Sequence, residues 1–175
     1  MIDKRGKINP SSPTSNFQLH PIGYVVNDKE PGQRCIIWEE VISEIVVEPE
    51  WKEALEGLEG FSHLWVISWL GHVSEGERRL LKVHPENRKD VPLMGIFATR
   101  TPTRPNPLGL TAVRLLARCG NTLKVQGLDA WHGTPILDLK PYLRQGDCIE
   151  DAITPPWLLR LWAEENGTLI NTDLR

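Results

Sequence analysis

The chain has 175 residues, 40% of them hydrophobic, and a formal net charge of −3. That length suits one compact domain with a real core, and the mild acidity excludes a nucleic-acid binder that works by overall positive charge, leaving room only for a local basic face. Three widely spaced cysteines, Cys35, Cys119 and Cys148, form no Cys-x-x-Cys pair, so they predict buried thiols in a reducing compartment rather than a zinc site or a disulfide framework.

Residues 1–15 are polar and rich in Ser, Pro and Asn and are expected to form a flexible tail ahead of a single domain over 16–175. The start lacks the apolar core of a signal peptide and no apolar run approaches a membrane span, so a cytoplasmic protein is expected. FQLHPIGYVV reads as a strand from Phe17 to the Asn27-Asp28 turn, and Pro31-Gly32 continues the turn composition. Ile36 to Val47, rich in Ile and Val, predicts one or two strands. In PEWKEALEGLEG the period changes: Trp51, Leu55 and Leu58 recur at helical spacing, Pro49 suits a first turn, and Gly57 or Gly60 can end the helix. HLWVISWLG is a nearly continuous apolar run of strand length, expected to be buried on both faces.

In the polar stretch that follows, Arg78, Arg79, Lys82, Arg88 and Lys89 fall close together, as a solvated face or a local basic surface. LMGIFAT, LTAVRLLAR, NTLKVQGLDA and TPILDLKPYL are further strand candidates joined by turn-rich segments. Near 155–165, PPWLLRLWAEENG predicts a short amphipathic helix with Leu158, Leu161 and Trp162 on one side. The fold class expected is mainly β, an antiparallel sheet or small barrel with one or two short helices. No Gly-x-Gly-x-x-Gly follows a strand, so a Rossmann-type site finds no support, and the histidines lack metal-ligand spacing, so no metal is expected.

Two segments carry chemistry. In RTPTRPNPLGL the prolines at 102, 105 and 107 stiffen a loop that presents Arg100, Arg104 and Asn106, and Gly109 permits close approach. It is either a ligand loop ordered at little entropic cost or a plain connector. In DAWHGTPILDLKPYL, His132-Gly133-Thr134-Pro135 makes a tight turn into a strand on which Asp138, Lys140 and Tyr142 alternate with apolar residues. Period two places those three on one face, as a pocket wall or an ordinary half-exposed strand. Trp131 beside the turn is a core residue or a platform for a flat ring.

HPIGYV, PGQ, LEGFSHLWV, GIFATRTPTRPNPLGLTAV and GTPILDLKPYL, in this order, resemble the TsaA-like (TrmO-type) family over roughly residues 17–144. The resemblance implies a small β-barrel that dimerises and holds S-adenosylmethionine in a site unlike the Rossmann type. It implies a methyltransferase acting on N6 of N6-threonylcarbamoyladenosine beside the anticodon of tRNA. The cofactor contacts it implies are Pro31, Gly32, Gln33, Gly71, His72, Arg100, Leu110, His132, Gly133, Thr134 and Pro135, with Arg104 and Asn106 shaping the proline loop. Asp138 and Tyr142 are candidate bases and Lys140 an orienting charge. His132 stands where the family often has Asp, and Gly71-His72 departs from a common Phe-His pair. The rival expectations are a methyltransferase for a small molecule and a binding module without turnover.

Overall fold

Ser43, Ile45 and Val47 are buried and their neighbours more open along β2 (Ile42–Val47), the two-residue period of a strand with one face on a core. The same alternation buries Val25 on β1 (Gly23–Val26), Leu64, Val66 and Ser68 on β3 (His63–Trp69), and Leu123 and Val125 on β7 (Thr122–Gln126). With β6 (Leu108–Cys119) and β8 (Pro135–Pro141), these strands close an antiparallel barrel in the order β1-β2-β7-β6-β3-β8. The computed structural model describes residues 18–33 and 36–165, so the expected tail over 1–15 and Cys35 lie outside the described residues.

The barrel is mainly β, as expected, and its inward side chains form one core of Val25, Ile45, Leu64, Val66, Val113, Leu123, Val125 and Ile136. β6 pairs first with β3 and then with β7, with an irregularity between Leu115 and Ala117 that lets the long strand bend round the wall. The β3–β6 ladder holds seven paired positions, from His63↔Arg114 to Trp69↔Leu108, whereas β1 meets β8 only at Gly23↔Ile136 and Tyr24↔Pro135. Between β3 and β6 a long excursion carries a two-residue pair, β4 (Lys82–Val83) with β5 (Met94–Gly95). After α1 (Arg144–Asp147), α2 (Pro156–Glu165) buries Leu161, half-buries Leu158 and leaves Trp162 exposed. Among the described residues no helix is long and apolar enough to cross a membrane.

Several expectations are corrected. β1 begins at Gly23, where the partner strand β2 ends at Val47; residues 18–22 ahead of it are not strand, and Phe17 lies outside the described residues. PEWKEALEGLEG forms 3-10 turns, Pro49–Leu55 and Leu58–Gly60, because Glu56 turns extended and Gly57 breaks the run. LMGIFAT shrinks to β5 and a 3-10 turn, Ile96–Ala98, closed when the Thr99 hydroxyl donates to the Ile96 carbonyl at 2.8 Å. β3 is not buried on both faces: Trp65, Ile67 and Trp69 point outward and stay half-covered, Trp65 by Tyr142 and Asp147 and Trp69 by Arg78. Cys119 and Cys148 are exposed free thiols, the first at the tip of the β6–β7 hairpin and the second just after α1.

Candidate functional site

Strand direction decides which loops meet. In an antiparallel barrel of this order, the ends of β1, β3 and β7 and the starts of β2, β6 and β8 share one rim. The β1–β2 loop therefore brings Pro31, Gly32 and Gln33 to that rim, and the β3–β6 excursion brings Gly71, His72, Arg100, Arg104 and Asn106. The β7–β8 loop brings His132, Gly133, Thr134 and Pro135. Leu110, two residues into β6, faces outward beside it. Four segments spread over a hundred residues of sequence thus converge on one end of the barrel.

Backbone bonds lock two of these loops together. The His132 amide donates to the Lys29 carbonyl at 2.8 Å and the Gly133 amide to the Val25 carbonyl at 2.8 Å. Asn27 is the hub: its side-chain amide donates to the Ser43 hydroxyl at 2.9 Å and the Ala130 carbonyl at 3.0 Å, and its side-chain oxygen accepts from the Lys29 amide. Replacing it leaves partly buried groups without partners, so Asn27→Ala is expected to cost about 1–3 kcal/mol in a calorimetric unfolding scan. A melting temperature unchanged from wild type would contradict that role.

The Asn27 amide also reaches His132 Nδ1 at 3.4 Å, a long contact that suits a ring whose proton sits on Nε2. Gln33 closes its own turn by accepting from the Glu30 amide at 3.1 Å. Trp131, half-buried, meets Trp38 edge-on with ring centroids 5.0 Å apart, wedging the two loops. Trp38 and Asp129 belong to this corner and no motif pointed to either. The Asp129 carboxyl lies above its ordinary proton affinity, chiefly through lost hydration and then through repulsion from Glu39, although much of the residue remains open to solvent.

The proline loop treats its two arginines differently. Arg104 donates from one terminal nitrogen to the Thr99 carbonyl at 3.1 Å and the Thr101 carbonyl at 3.2 Å, folding the loop on itself. Arg100 is exposed and without a hydrogen-bond or ion-pair partner among the described residues. The Leu70 amide donates to the Pro107 carbonyl at 2.8 Å and fastens the loop's end to β3. Below it Gly109 faces the buried Ser68, and a Cβ there would lie 2.4 Å from the Ser68 hydroxyl and 3.2 Å from a Leu70 methyl. His84 is satisfied locally by the Val91 carbonyl at 2.8 Å.

The two candidate bases, Asp138 and Tyr142, and the orienting Lys140 are not gathered with these loops. Asp138 and Lys140 pair with each other at 2.7 Å. A bulge sets Asp138 opposite Ile67 but Ile136 opposite Ser68, so the strict alternation of polar and apolar residues holds only after Leu137. Asp138 also lines a cavity of about 240 Å³ with Ile22, Val47, Trp51, Leu55 and Leu139, at the barrel end away from the four rim segments. Tyr142 follows β8 at that far end, its amide on the His63 carbonyl and its ring 5.5 Å from Trp65.

Residues 24–148 match the tRNA-methyltransferase O N-terminal domain family, TrmO_N. The chain belongs to this family. The matched span encloses all four rim segments of this TrmO-type barrel. A probable S-adenosyl-L-methionine-binding protein of Methanothermobacter thermautotrophicus is 42% identical over 138 residues, covering 76% of this chain and 95% of the relative. A human tRNA (adenine(37)-N6)-methyltransferase is 32% identical over 163 residues, covering 86% of this chain and 35% of the relative. The crystal structure of a TrmO superposes with a TM-score of 0.63 at 33% identity, over 81% of this chain and 66% of that one. The chain thus spans nearly all of the archaeal relative but about a third of the human enzyme and two thirds of the solved TrmO.

Proposed function

We propose that this TrmO-type barrel is a homodimeric methyltransferase that binds S-adenosylmethionine at the loop-bearing rim and methylates N6 of N6-threonylcarbamoyladenosine in tRNA. The observation that carries the reading is the convergence of the 31–33, 71–72, 100–110 and 132–135 segments on one rim. The names of the archaeal relative and of the human enzyme support the cofactor and the acceptor.

The rim suits such a ligand. The unpaired Arg100 guanidinium can hold a carboxylate, the interlocked turns offer backbone groups for a ribose and an adenine edge, and Trp131 offers an aromatic surface beside them. When bound, the cofactor supplies an electrophilic methyl group on a sulfonium. The protein's part is alignment, with Arg104 and the prolines stiffening the loop that carries Arg100. An amide-like nitrogen is a weak nucleophile and gains from a base. Asp129 comes ahead of Asp138 for that role, because its proton affinity is raised beside the rim while Asp138 is tied to Lys140. Ile67 with the exposed Leu108 and Leu110 forms an apolar strip on the outer wall suited to a second copy.

Asp129→Asn separates function from stability. A carboxyl whose folded-state proton affinity is raised weakens the fold as pH rises through the window above the ordinary carboxylate value. The variant is therefore expected to melt slightly higher than wild type at pH 7, equally at pH 3, and to transfer methyl groups at least tenfold more slowly. An unchanged rate would remove Asp129 from the reaction.

A binding module without turnover is the second reading, favoured by the archaeal relative's name and by His132 at the turn. Incubation with methyl-labelled S-adenosylmethionine and tRNA, with or without threonylcarbamoyladenosine, decides between them. Label in the modified tRNA alone supports the proposal. Cofactor binding with no label transferred supports the module, and label entering only a small-molecule extract would make tRNA the wrong acceptor.

A further inference from the structure

We propose that Arg78 is a substrate-positioning residue that holds a phosphodiester of the RNA at the rim; this rests on the reading of tRNA as acceptor. Between Gly71 and Pro107 seven Lys and Arg accompany four Asp and Glu, so the excursion is cationic within a chain of net charge −3. Its charges are not equivalent. Arg88 is spent on Asp90 and on Glu164 of α2 at 2.6 Å, and Arg104 is spent inside the proline loop. Arg79, Lys82 and Lys89 are exposed and unpaired among the described residues, mobile charges on long stems.

Arg78 differs from all of these. Its guanidinium lies over the Trp69 ring, 5.3 Å from the centroid, at the rim end of β3 and next to Gly71-His72. The backbone holds it there: the Arg78 amide donates to the Ser74 carbonyl at 3.1 Å, and Ser74 is in turn gripped by Glu77 at 2.6 Å. The Nε of Arg78 is buried without a hydrogen-bond partner, while its terminal nitrogens are not closed off and pair with no carboxylate among the described residues. A planar cation fixed on an aromatic ring, with its forked edge free, is already ordered for an oxyanion. Arg100 on the same rim serves a carboxylate in the reading above, which leaves Arg78 for a phosphate. Arg79 and Lys82 alongside would add attraction of longer range without fixing register.

The experiment is a salt titration of binding between the full chain and a fluorescein-labelled tRNA transcript, with S-adenosylmethionine binding measured calorimetrically in parallel. Arg78→Met keeps an apolar stem over Trp69 and removes the charge; Arg78→Lys keeps the charge and loses the flat fork. One lost phosphate contact lowers the slope of log K against log salt by about 0.7–0.9, which at 0.1 M salt is about a five- to eightfold loss of affinity. Arg78→Met is expected to show that slope and that loss with cofactor affinity and melting temperature unchanged. Arg78→Lys is expected to keep the slope and recover part of the affinity. RNA affinity and slope equal to wild type in Arg78→Met would overturn the proposal, as would a loss confined to cofactor binding. Wild-type protein that binds no tRNA while still binding the cofactor would overturn the acceptor reading as well, so the two failures are told apart.

Discussion

Gly23→Ala is expected to cost more than about 3 kcal/mol and to lower the melting temperature by about 6–12 °C. Gly23 is hydrogen-bonded territory on both sides, opposite Val47 on β2 and Ile136 on β8. A Cβ there would lie 2.3 Å from the Val46 carbonyl oxygen, 2.9 Å from the Val47 Cα and 3.0 Å from the Val46 carbonyl carbon. All three are backbone atoms, so no rotamer change relieves the clash, and only parting β1 from β2 does. Gly76→Ala is the control, since a Cβ at that position meets nothing within 4 Å and the backbone is already right-handed helical. Scanning calorimetry on both variants checks the argument, and a Gly23→Ala melting temperature matching that of the control would contradict it.

Arg100→Ala is expected to weaken S-adenosylmethionine binding by about 1–3 kcal/mol, roughly a five- to 150-fold rise in Kd, with no change in melting temperature. An exposed guanidinium with no partner among the described residues contributes little to the fold, so its loss is felt chiefly when a carboxylate arrives. Arg104→Ala should behave otherwise. Its two bonds to the Thr99 and Thr101 carbonyls stiffen the proline loop, so this variant loses both stability and affinity. Titration calorimetry beside thermal unfolding reads both effects. If Arg104→Ala alone weakened binding, the carboxylate would be assigned to the wrong arginine.

The barrel strands were legible where one face packs on the core and the other does not. β2 and β7 keep the period of two in the structure, whereas β3, a nearly continuous apolar run in sequence, shows it only in its burial. What periodicity could not foresee was local geometry imposed from outside a segment. The 3-10 turns over Pro49–Leu55 carry helical spacing but stop at Glu56-Gly57, and the bulge opposite Ser68 resets the face on which Ile136 lies. The rim was legible as motifs and not as a place, since their meeting depends on strand direction round a closed sheet. Asp129 was illegible for a different reason: its proton affinity is set partly by Glu39, ninety residues earlier in the chain. Among the arginines, type and spacing gave no hint that Arg104 is consumed by carbonyls and Arg78 by an indole.

The brevity of the β1–β8 junction bears on how the molecule forms and breathes. The β6–β7 hairpin closes over a two-residue turn, and the long β3–β6 ladder can assemble without β1. Sealing β1 to β8 instead joins residues more than a hundred positions apart for two paired residues, a late step with a large loop-closure cost and little ladder to reward it. Sub-global opening should therefore begin there, so amides of Ile22 and Val25, which bridge to β8 and the turn before it, should exchange with deuterium sooner than those in the middle of β3 and β6. Since Gly133 hangs on the carbonyl of Val25, that same opening would loosen the rim, and a ligand seated on the rim would slow exchange along the junction.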